Sequence, residues 1–576
     1  MTDFKIETFP FDHEAITTWG LADPVGIDWP VVYTLSDQKH IYVGETLNAT
    51  SRLHQHLKTE GKQGLSHVQI ILNPRFNKSA CLDLESQLIK LFAADGTHRV
   101  LNANSGITDA NYFERDKYRD SFSELYEALV RDGLLSRPIP EIVNSNLFKF
   151  SPFKALNTEQ AVVVSAITEK ILDLVGPSGG GQLIVQGDPG TGKTIVAIYL
   201  IKLLRDIALF KDDEISEQES VFSELFTTSS AEKLRGLKIG LVVPQQALRK
   251  TLQTVFAQTP GLDKGMVLTP FEAADSADDF DLLIVDEAHR LGQRANQPSA
   301  AQNKKFSYLN EKLFGTDDPA ITQLDWIKTK SRIQLLLLDT AQAIKPADLP
   351  LNTTQSLIDR AMAEECLFKL TSQMRVSGGK EYLEFIRALF ADTPEAARDF
   401  NGYDLRFYSD ASRMRQDILA LNEQHGLARL VAGFAWPWAS KKDKKAIDIE
   451  LNGMTLQWNQ TVTDWVNSPT SHLEVGSIHT IQGYDLNYAG VILGNDIAYD
   501  AETKRVVFVR ENYHDVKGRE NNAARGIVYS DEDVRHWVLN IYRVLLTRGI
   551  KGTFIYVCDP ALREHLSALF EPHQRF

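Results

Sequence analysis

Leu183-Ile-Val-Gln-Gly-Asp-Pro-Gly-Thr-Gly-Lys-Thr194 joins a short apolar strand to a glycine-rich turn, and an apolar helical run over residues 195–204 follows it. The turn spells G-x-x-x-x-G-K-T through Gly187, Asp188, Pro189, Gly190, Thr191, Gly192, Lys193 and Thr194. Its glycines let backbone N–H groups turn inward on phosphate oxygens at a helix start, Lys193 adds positive charge, and the Thr194 hydroxyl suits Mg²⁺. ATP or another NTP is the ligand expected there, with Mg²⁺ or Mn²⁺ as its metal.

Downstream, Asp281-Leu-Leu-Ile-Val-Asp-Glu-Ala-His289 puts two carboxylates at the end of an apolar strand. In a P-loop NTPase one such carboxylate binds the metal and its neighbour orients the attacking water, which assigns Asp286 to the metal and Glu287 to the water. The alternative is a pair that only caps the next helix. Apolar runs at 183–185, 240–243, 282–285 and 334–338 lack the alternation of a half-exposed strand, so they predict a parallel sheet buried on both faces. Further runs at 475–480, 489–493 and 553–557 predict a second α/β domain.

The 576 residues carry a formal charge of −14, with 43% hydrophobic and 24% charged residues, which excludes disorder and suits three or four folded units. The acidic total argues against a broadly basic nucleic-acid coat but leaves a local basic groove open. Cys81, Cys366 and Cys558 form neither a C-x-x-C pair nor an even disulfide set, and the acidic amino terminus is unlike a signal peptide, so a cytoplasmic protein is expected. Short β-like runs at 31–35 and 40–43, then helical patterns at 51–58 and 80–94, predict a small α/β module at the start. A polar helical stretch at 111–135 leads into Ser136-Arg-Pro-Ile-Pro-Glu141, where two prolines predict a stiff interdomain linker. The acidic stretch 211–234 predicts a solvated insertion.

From about residue 150 to 560 the ordered motifs resemble a superfamily-one helicase or translocase, close to the Schlafen-type group. Leu156-Asn-Thr-Glu-Gln160 looks like the adenine-reading segment, which implies a base contact for Gln160. Leu335-Leu-Leu-Leu-Asp-Thr-Ala-Gln342 is similar to the motif whose glutamine senses the γ-phosphate, here Gln342. Ser372-Gln-Met-Arg375 resembles the fourth motif, Ile478-His-Thr-Ile-Gln-Gly-Tyr-Asp485 the fifth, and Tyr542-Arg-Val-Leu-Leu-Thr-Arg-Gly549 the sixth. The resemblance implies that Arg375 and Arg548 bring positive charge to the nucleotide, so that ATP favours closure of the motor.

Residues 29–106 resemble the GIY-YIG nuclease family. The first motif stands as Val31-Val-Tyr33, without its namesake glycine and isoleucine, and the second as Tyr42-Val-Gly44. Arg52 and His56 are four apart on one face of a predicted helix, Glu85 lies on a second helix, and Asn102 follows. The resemblance implies a Mg²⁺ or Mn²⁺ ion on Glu85, phosphate stabilisation by Arg52, and proton transfer by Tyr33 or Tyr42 with His56. Glu85 falls beside an apolar face of Cys81, Leu84, Leu88 and Phe92, where either a metal or a nearby cation offsets the cost of its charge.

Together these resemblances imply an α/β chain: a small GIY-YIG module at 1–110, a helical connector and linker at 111–149, and two RecA-like parallel-sheet motor domains at 150–376 and 377–576. The function expected is an ATP-dependent helicase or translocase fused to a metal-dependent endonuclease, with DNA favoured over RNA, in anti-phage defence or repair. The alternative is an ATP-gated nucleic-acid-binding or signalling protein whose first module does not cut. Phe434-Ala-Trp-Pro-Trp438, followed by Lys441, Lys442, Lys444 and Lys445, suits either a stacking patch for single strands or core packing beside a solvated loop.

Overall fold

The computed structural model describes residues 4–576 except 23–27, 60, 103–111, 154–155, 177–178, 212–221, 295–296, 298, 340–344, 393, 401, 462–463 and 482–483. The chain divides into two compact units. One comprises Met1–Val175, Thr194–Gly236 and Thr251–Met266; the other comprises Gly176–Lys193, Leu237–Lys250 and Val267–Phe576.

The first unit opens with strands β1 (Lys5–Pro10), β2 (Val31–Ser36), β3 (His40–Thr46), β4 (His67–Leu72) and β5 (Arg99–Val100), ordered β1-β4-β2-β3-β5. β2 and β3 pair antiparallel with Tyr33 opposite Gly44. Side chains alternate across a strand, so this sheet has two cores. Val32, Ile41, Val43 and Ile71 pack with Cys81, Leu84, Leu88 and Phe92 of the helix Lys78–Asp95. Val31, Tyr33, Leu35, Val68 and Ile70 face the other way, with Ile16 and with Leu53 of the helix Ala49–His56. The helix Ala49–His56 starts because the Asn48 side chain accepts from the Ser51 N–H. The helix Lys78–Asp95 starts on Asn77 in the same way, and stops at Gly96, whose φ of 75° is the left-handed conformation glycine adopts without a Cβ penalty.

The stretch expected as a linker is built into this unit's core. Pro138 caps a short helix, Ile139–Asn144, and Pro140 occupies its first turn, where no N–H is needed. Ile142 is buried in the same cluster as Leu84, beside Phe122, Leu125 and Leu129 of the helix Arg115–Arg131. The acidic stretch also folds where it is described: Thr228–Leu234 is helical, with Ala231 and Leu234 buried three residues apart on one face.

The second unit holds two parallel sheets. The first contains β6 (Gly181–Gly187), β7 (Ile239–Val242), β8 (Val267–Leu268), β9 (Phe280–Val285), β10 (Ser331–Leu338) and β11 (Leu367–Leu370), ordered β11-β6-β10-β9-β7-β8. Every pairing is parallel, and the apolar runs are buried on both faces. The second runs through β12 (Asp404–Tyr408), β13 (Ala428–Ala432), the hairpin β14 (Ile449–Leu451) and β15 (Met454–Leu456), β16 (Val475–Ser477), β17 (Leu486–Leu493), the hairpin β18 (Ile497–Asp500) and β19 (Arg505–Phe508), and β20 (Gly549–Val557). Its parallel order is β12-β20-β17-β13-β16. The strand expected over 475–480 ends at Ser477, where Asn459 Oδ1 and Thr480 Oγ1 both accept from the Ser477 N–H and the chain turns into the helix Ile478–Ile481. Among the described residues no helix is long and apolar enough to cross a membrane.

Candidate active sites

Because β11, β6, β10 and β9 are parallel neighbours, everything that follows their carboxyl ends gathers on one edge of the sheet. The phosphate loop leaves β6, Asp286 leaves β9, Asp339 leaves β10 and the Gln373–Arg375 segment leaves β11. Gly190 and Gly192 have φ of 86° and 83°. Glycine is needed at 190 for a second reason: a Cβ there would collide with Gln373 Oε1 and lie 2.8 Å from Arg375 Cβ. The loop and that segment are tied together, since Met374 N–H donates to Gly190 O at 2.9 Å and Gln373 Nε2 donates to Pro189 O at 2.8 Å.

Lys193 is buried, and its Nζ donates to Gly187 O at 2.6 Å and Asp188 O at 3.1 Å and lies 3.4 Å from Asp339 Oδ2. Thr191 Oγ1 donates to Asp188 O at 2.9 Å. Thr194 is the second residue of the helix Lys193–Leu209. Asp286 is fully buried, and its Oδ1 accepts from the Glu287 N–H at 3.0 Å. Glu287 itself is held in the left-handed region, φ 49°, a strained conformation for a residue with a Cβ. Its Oε2 lies 3.1 Å from His289 Nε2 and 3.5 Å from Arg290 Nε. His289 Nδ1 accepts from the Asp339 N–H at 3.3 Å, which puts the ring proton on Nε2, facing Glu287. Burial raises the Glu287 pKa, but His289, Arg290 and Lys193 outweigh it and hold the carboxylate well below its usual range. A buried ammonium, a buried carboxylate and inward-turning glycines fit a nucleotide phosphate with its divalent metal.

Arg375 and Arg548 come together at this edge. Arg375 Nε is ion-paired with Asp485 Oδ1, just before β17. Arg548, just before the neighbouring β20, is fully buried and donates to Val544 O at 3.2 Å and Tyr484 O at 3.3 Å. Burial, with Arg375 nearby, lowers its pKa to about 9. The Gln160 carboxamide oxygen accepts from the Asn157 N–H at 3.2 Å, completing a capping box for the helix Thr158–Leu174. Gln342 lies outside the described residues, as do Gln482 and Gly483. Asp339, His289 and Gln373 lie within the sequence motifs, yet only the fold shows that they position the loop and Glu287.

In the first unit, Tyr33, Tyr42, His56, Arg52 and Glu85 converge at β2, β3 and the helices Ala49–His56 and Lys78–Asp95. Tyr33 Oη is 2.8 Å from His56 Nε2, and the Tyr42 and His56 rings meet edge-on with centroids 5.1 Å apart. Gly44 makes room for this: a Cβ there would meet Tyr33 Oη and lie 2.5 Å from its Cζ. Burial raises the Tyr33 hydroxyl well above its usual range and pushes that of Tyr42 up to about 12, with Glu85 adding to both and Arg52 opposing. Burial, together with Lys62 and Arg52, lowers His56 to about 3, so its imidazole is neutral. Asn102 is spent on backbone: its Oδ1 accepts from the Val43 N–H at 3.0 Å and its Nδ2 donates to Val43 O at 2.7 Å, standing in for a strand partner. Among the described residues no three His, Cys, Asp or Glu gather around one point. One carboxylate suits Mg²⁺, which keeps most of its waters. Lys62, absent from the sequence-derived set, sits against both His56 and Tyr42.

Trp436 and Trp438 are half-buried, and Lys441 Nζ lies 5.3 Å from the Trp438 ring centroid. Trp458 and Trp465 are fully buried.

A phosphate loop, an acidic pair after a strand of the same sheet and two arginines gathered at the same edge define a P-loop NTPase of the helicase type. Residues 181–559 match the family described as Schlafen group 3, DNA/RNA helicase domain, and the chain belongs to that family. It is also similar to Uncharacterized protein YPL245W of Saccharomyces cerevisiae, 27% identical over 407 residues that span 67% of this chain and 83% of that one. Two solved structures share low similarity. S. cerevisiae Dbp5 bound to RNA and ADP BeF3 has 11% identity and a TM-score of 0.29 over 72% of this chain and 90% of that one. Bacteroides Pif1 bound to ssDNA has 8% identity and a TM-score of 0.24 over 70% and 92%.

Proposed function

We propose that the chain is an ATP-driven nucleic-acid translocase or helicase whose first module is a metal-dependent endonuclease of GIY-YIG type. DNA is the preferred substrate, and defence against foreign DNA or repair is the setting. The observation that carries the motor is Arg375, whose Cβ abuts Gly190 of the phosphate loop while its guanidinium pairs with Asp485 before β17. A γ-phosphate arriving between Lys193 and Arg375 competes with Asp485 for that guanidinium, so nucleotide state biases how the two parallel sheets engage. Lys193 holds the phosphates, Thr194 and Asp286 would hold the metal, and Glu287, kept ionised by its cations, accepts a proton from water. Gln160 and Gln342 read the base and the γ-phosphate, and Arg548 supplies further positive charge.

The nuclease assignment is supported by the convergence of Tyr33, Tyr42, Arg52, His56 and Glu85, with Tyr33 packed against Gly44. Bound at Glu85, Mg²⁺ or Mn²⁺ would supply charge to the scissile phosphate and acidify water. Arg52 binds the phosphate, and the tyrosines face the reacting oxygens. Asn102 serves this site by fixing Val43, between Tyr42 and Gly44. The test is a matched panel of single-stranded, duplex and forked DNA and RNA, assayed for binding, metal-dependent cleavage and ATP turnover. Turnover stimulated by nucleic acid with cleavage dependent on Glu85 supports the fusion; turnover without strand breaks on any substrate leaves a motor with a binding module.

A further inference from the structure

His56 is buried with a neighbour on each ring nitrogen. Nε2 lies 2.8 Å from Tyr33 Oη, and Nδ1 lies 3.0 Å from Lys62 Nζ. Lys62 follows the helix Ala49–His56 in the turn before β4, and its Nζ also sits 3.5 Å from the centroid of the Tyr42 ring. A cation over an aromatic face is attracted to it, so the ammonium has two reasons to stay where it is. Among the described residues, the charged and titratable groups around the imidazole are Tyr33 from β2, Tyr42 from β3, Arg52 from its own helix and Lys62 from the turn.

An ammonium only donates, so His56 Nδ1 has to accept from Lys62. A neutral imidazole that accepts at Nδ1 carries its proton on Nε2, and that proton points at Tyr33 Oη. We propose that Lys62 is a positioning residue of the phosphodiester site: it fixes His56 as the Nε2–H tautomer, so that Tyr33 Oη accepts from His56 and directs its own proton elsewhere. His56 is then unable to take a proton from Tyr33, and the tyrosine, not the histidine, is the group that exchanges a proton with water or phosphate. A hydrogen bond already aimed at Tyr33 Oη also stabilises any negative charge that develops there. The role of Lys62 in cleavage rests on the GIY-YIG assignment; the tautomer does not.

The two are separated by a pair of measurements on the full chain. Ring ¹⁵N–¹H correlation spectra of ¹⁵N-histidine-labelled protein, with His56 assigned by its loss in His56→Gln, read the tautomer directly. The Nε2–H form is expected in the wild type and in Lys62→Arg, which also only donates. Lys62→Ala, checked for a wild-type melting profile, is expected to mix in the Nδ1–H form. In cleavage assays Lys62→Ala should lose about 10- to 100-fold in kcat with KM nearly unchanged, as when the partner that orients a histidine is removed, and Lys62→Arg should recover most of it. A proton on Nδ1 in the wild type, or a wild-type tautomer in Lys62→Ala, overturns the role of Lys62. The expected tautomers in a protein that cuts none of the substrates support the Lys62–His56 arrangement and overturn the endonuclease assignment instead.

Discussion

Arg375, in the loop after β11, forms an ion pair with Asp485, which stands immediately before β17 of the other parallel sheet. The guanidinium proposed to meet the γ-phosphate is thus already engaged by a carboxylate. Arg375→Ala is predicted to lower nucleic-acid-stimulated turnover by about 10³-fold, the scale of a lost arginine finger. Asp485→Asn frees the arginine, and should raise basal turnover while shrinking the stimulation by nucleic acid. Steady-state ATPase assays with and without nucleic acid check both; unchanged stimulation in Asp485→Asn would show that the pair does not restrain Arg375.

The roles proposed for Glu287 and Lys193 separate chemistry from binding. Glu287→Gln keeps the loop and its phosphate contacts, so nucleotide affinity should stay within a few-fold while turnover drops by two or more orders of magnitude, whereas Lys193→Ala should weaken both. Fluorescent-nucleotide titration beside single-turnover hydrolysis distinguishes them. Wild-type hydrolysis by Glu287→Gln would remove the assignment of the attacking water to Glu287.

Gly44→Ala places a Cβ against the Tyr33 ring. Overpacking of this kind costs about 1–3 kcal/mol, and here it displaces the hydroxyl that His56 orients. Cleavage should be lost while ATP turnover is retained, since Lys193, Asp286 and Glu287 lie in the other unit. A Gly44→Ala protein that cuts normally would show that the Tyr33 position is not part of the chemistry.

Asp496, just after β17, is fully buried; Tyr542 Oη donates to its Oδ1 at 2.5 Å, and its Oδ2 has no hydrogen-bond partner among the described residues. Burial raises its pKa to about 7, more than the Tyr542 hydrogen bond lowers it. An unfolded aspartate titrates near ~3.9, so the native state holds the proton more firmly. The contribution of this group to stability is therefore greatest below that value, is lost as pH rises toward 7, and stays lost above it. Asp496→Asn should raise the urea midpoint more at about pH 8 than at about pH 5. An equal shift at both would mean that the carboxyl is ionised in the fold throughout.

The helicase-type ATPase fold is legible because its signals are local. Gly187–Thr194 needs a strand before it and a helix after it, and buried strands such as 282–285 and 334–338 announce themselves by uninterrupted apolar runs. Short edge strands carry no such run: β8 has two residues and β11 four, and β5 exists only because β3 offers it a partner. The prolines at 138 and 140 suggest a break in structure, yet proline suits the first turn of a helix, and the burial of Ile142 depends on Leu84 and Phe122, distant in sequence. Site residues that act through others were hidden for the same reason. Lys62 becomes visible only once a turn folds it back onto His56, and His289 only when β9 and β10 align to bring the Asp339 N–H to its ring.

If one chain couples a motor to a cutter, the coupling is read by cleavage of one end-labelled substrate set by wild type, Glu85→Ala and Lys193→Ala, with Mg²⁺ and with or without ATP. Glu85→Ala is predicted to cut nothing yet hydrolyse ATP at near the wild-type rate. Lys193→Ala should still cut exposed substrate while losing cleavage of substrate that must first be opened or reached by translocation. Wild-type cutting by Glu85→Ala, or cleavage by the wild type that is the same with and without ATP on every substrate, would contradict it.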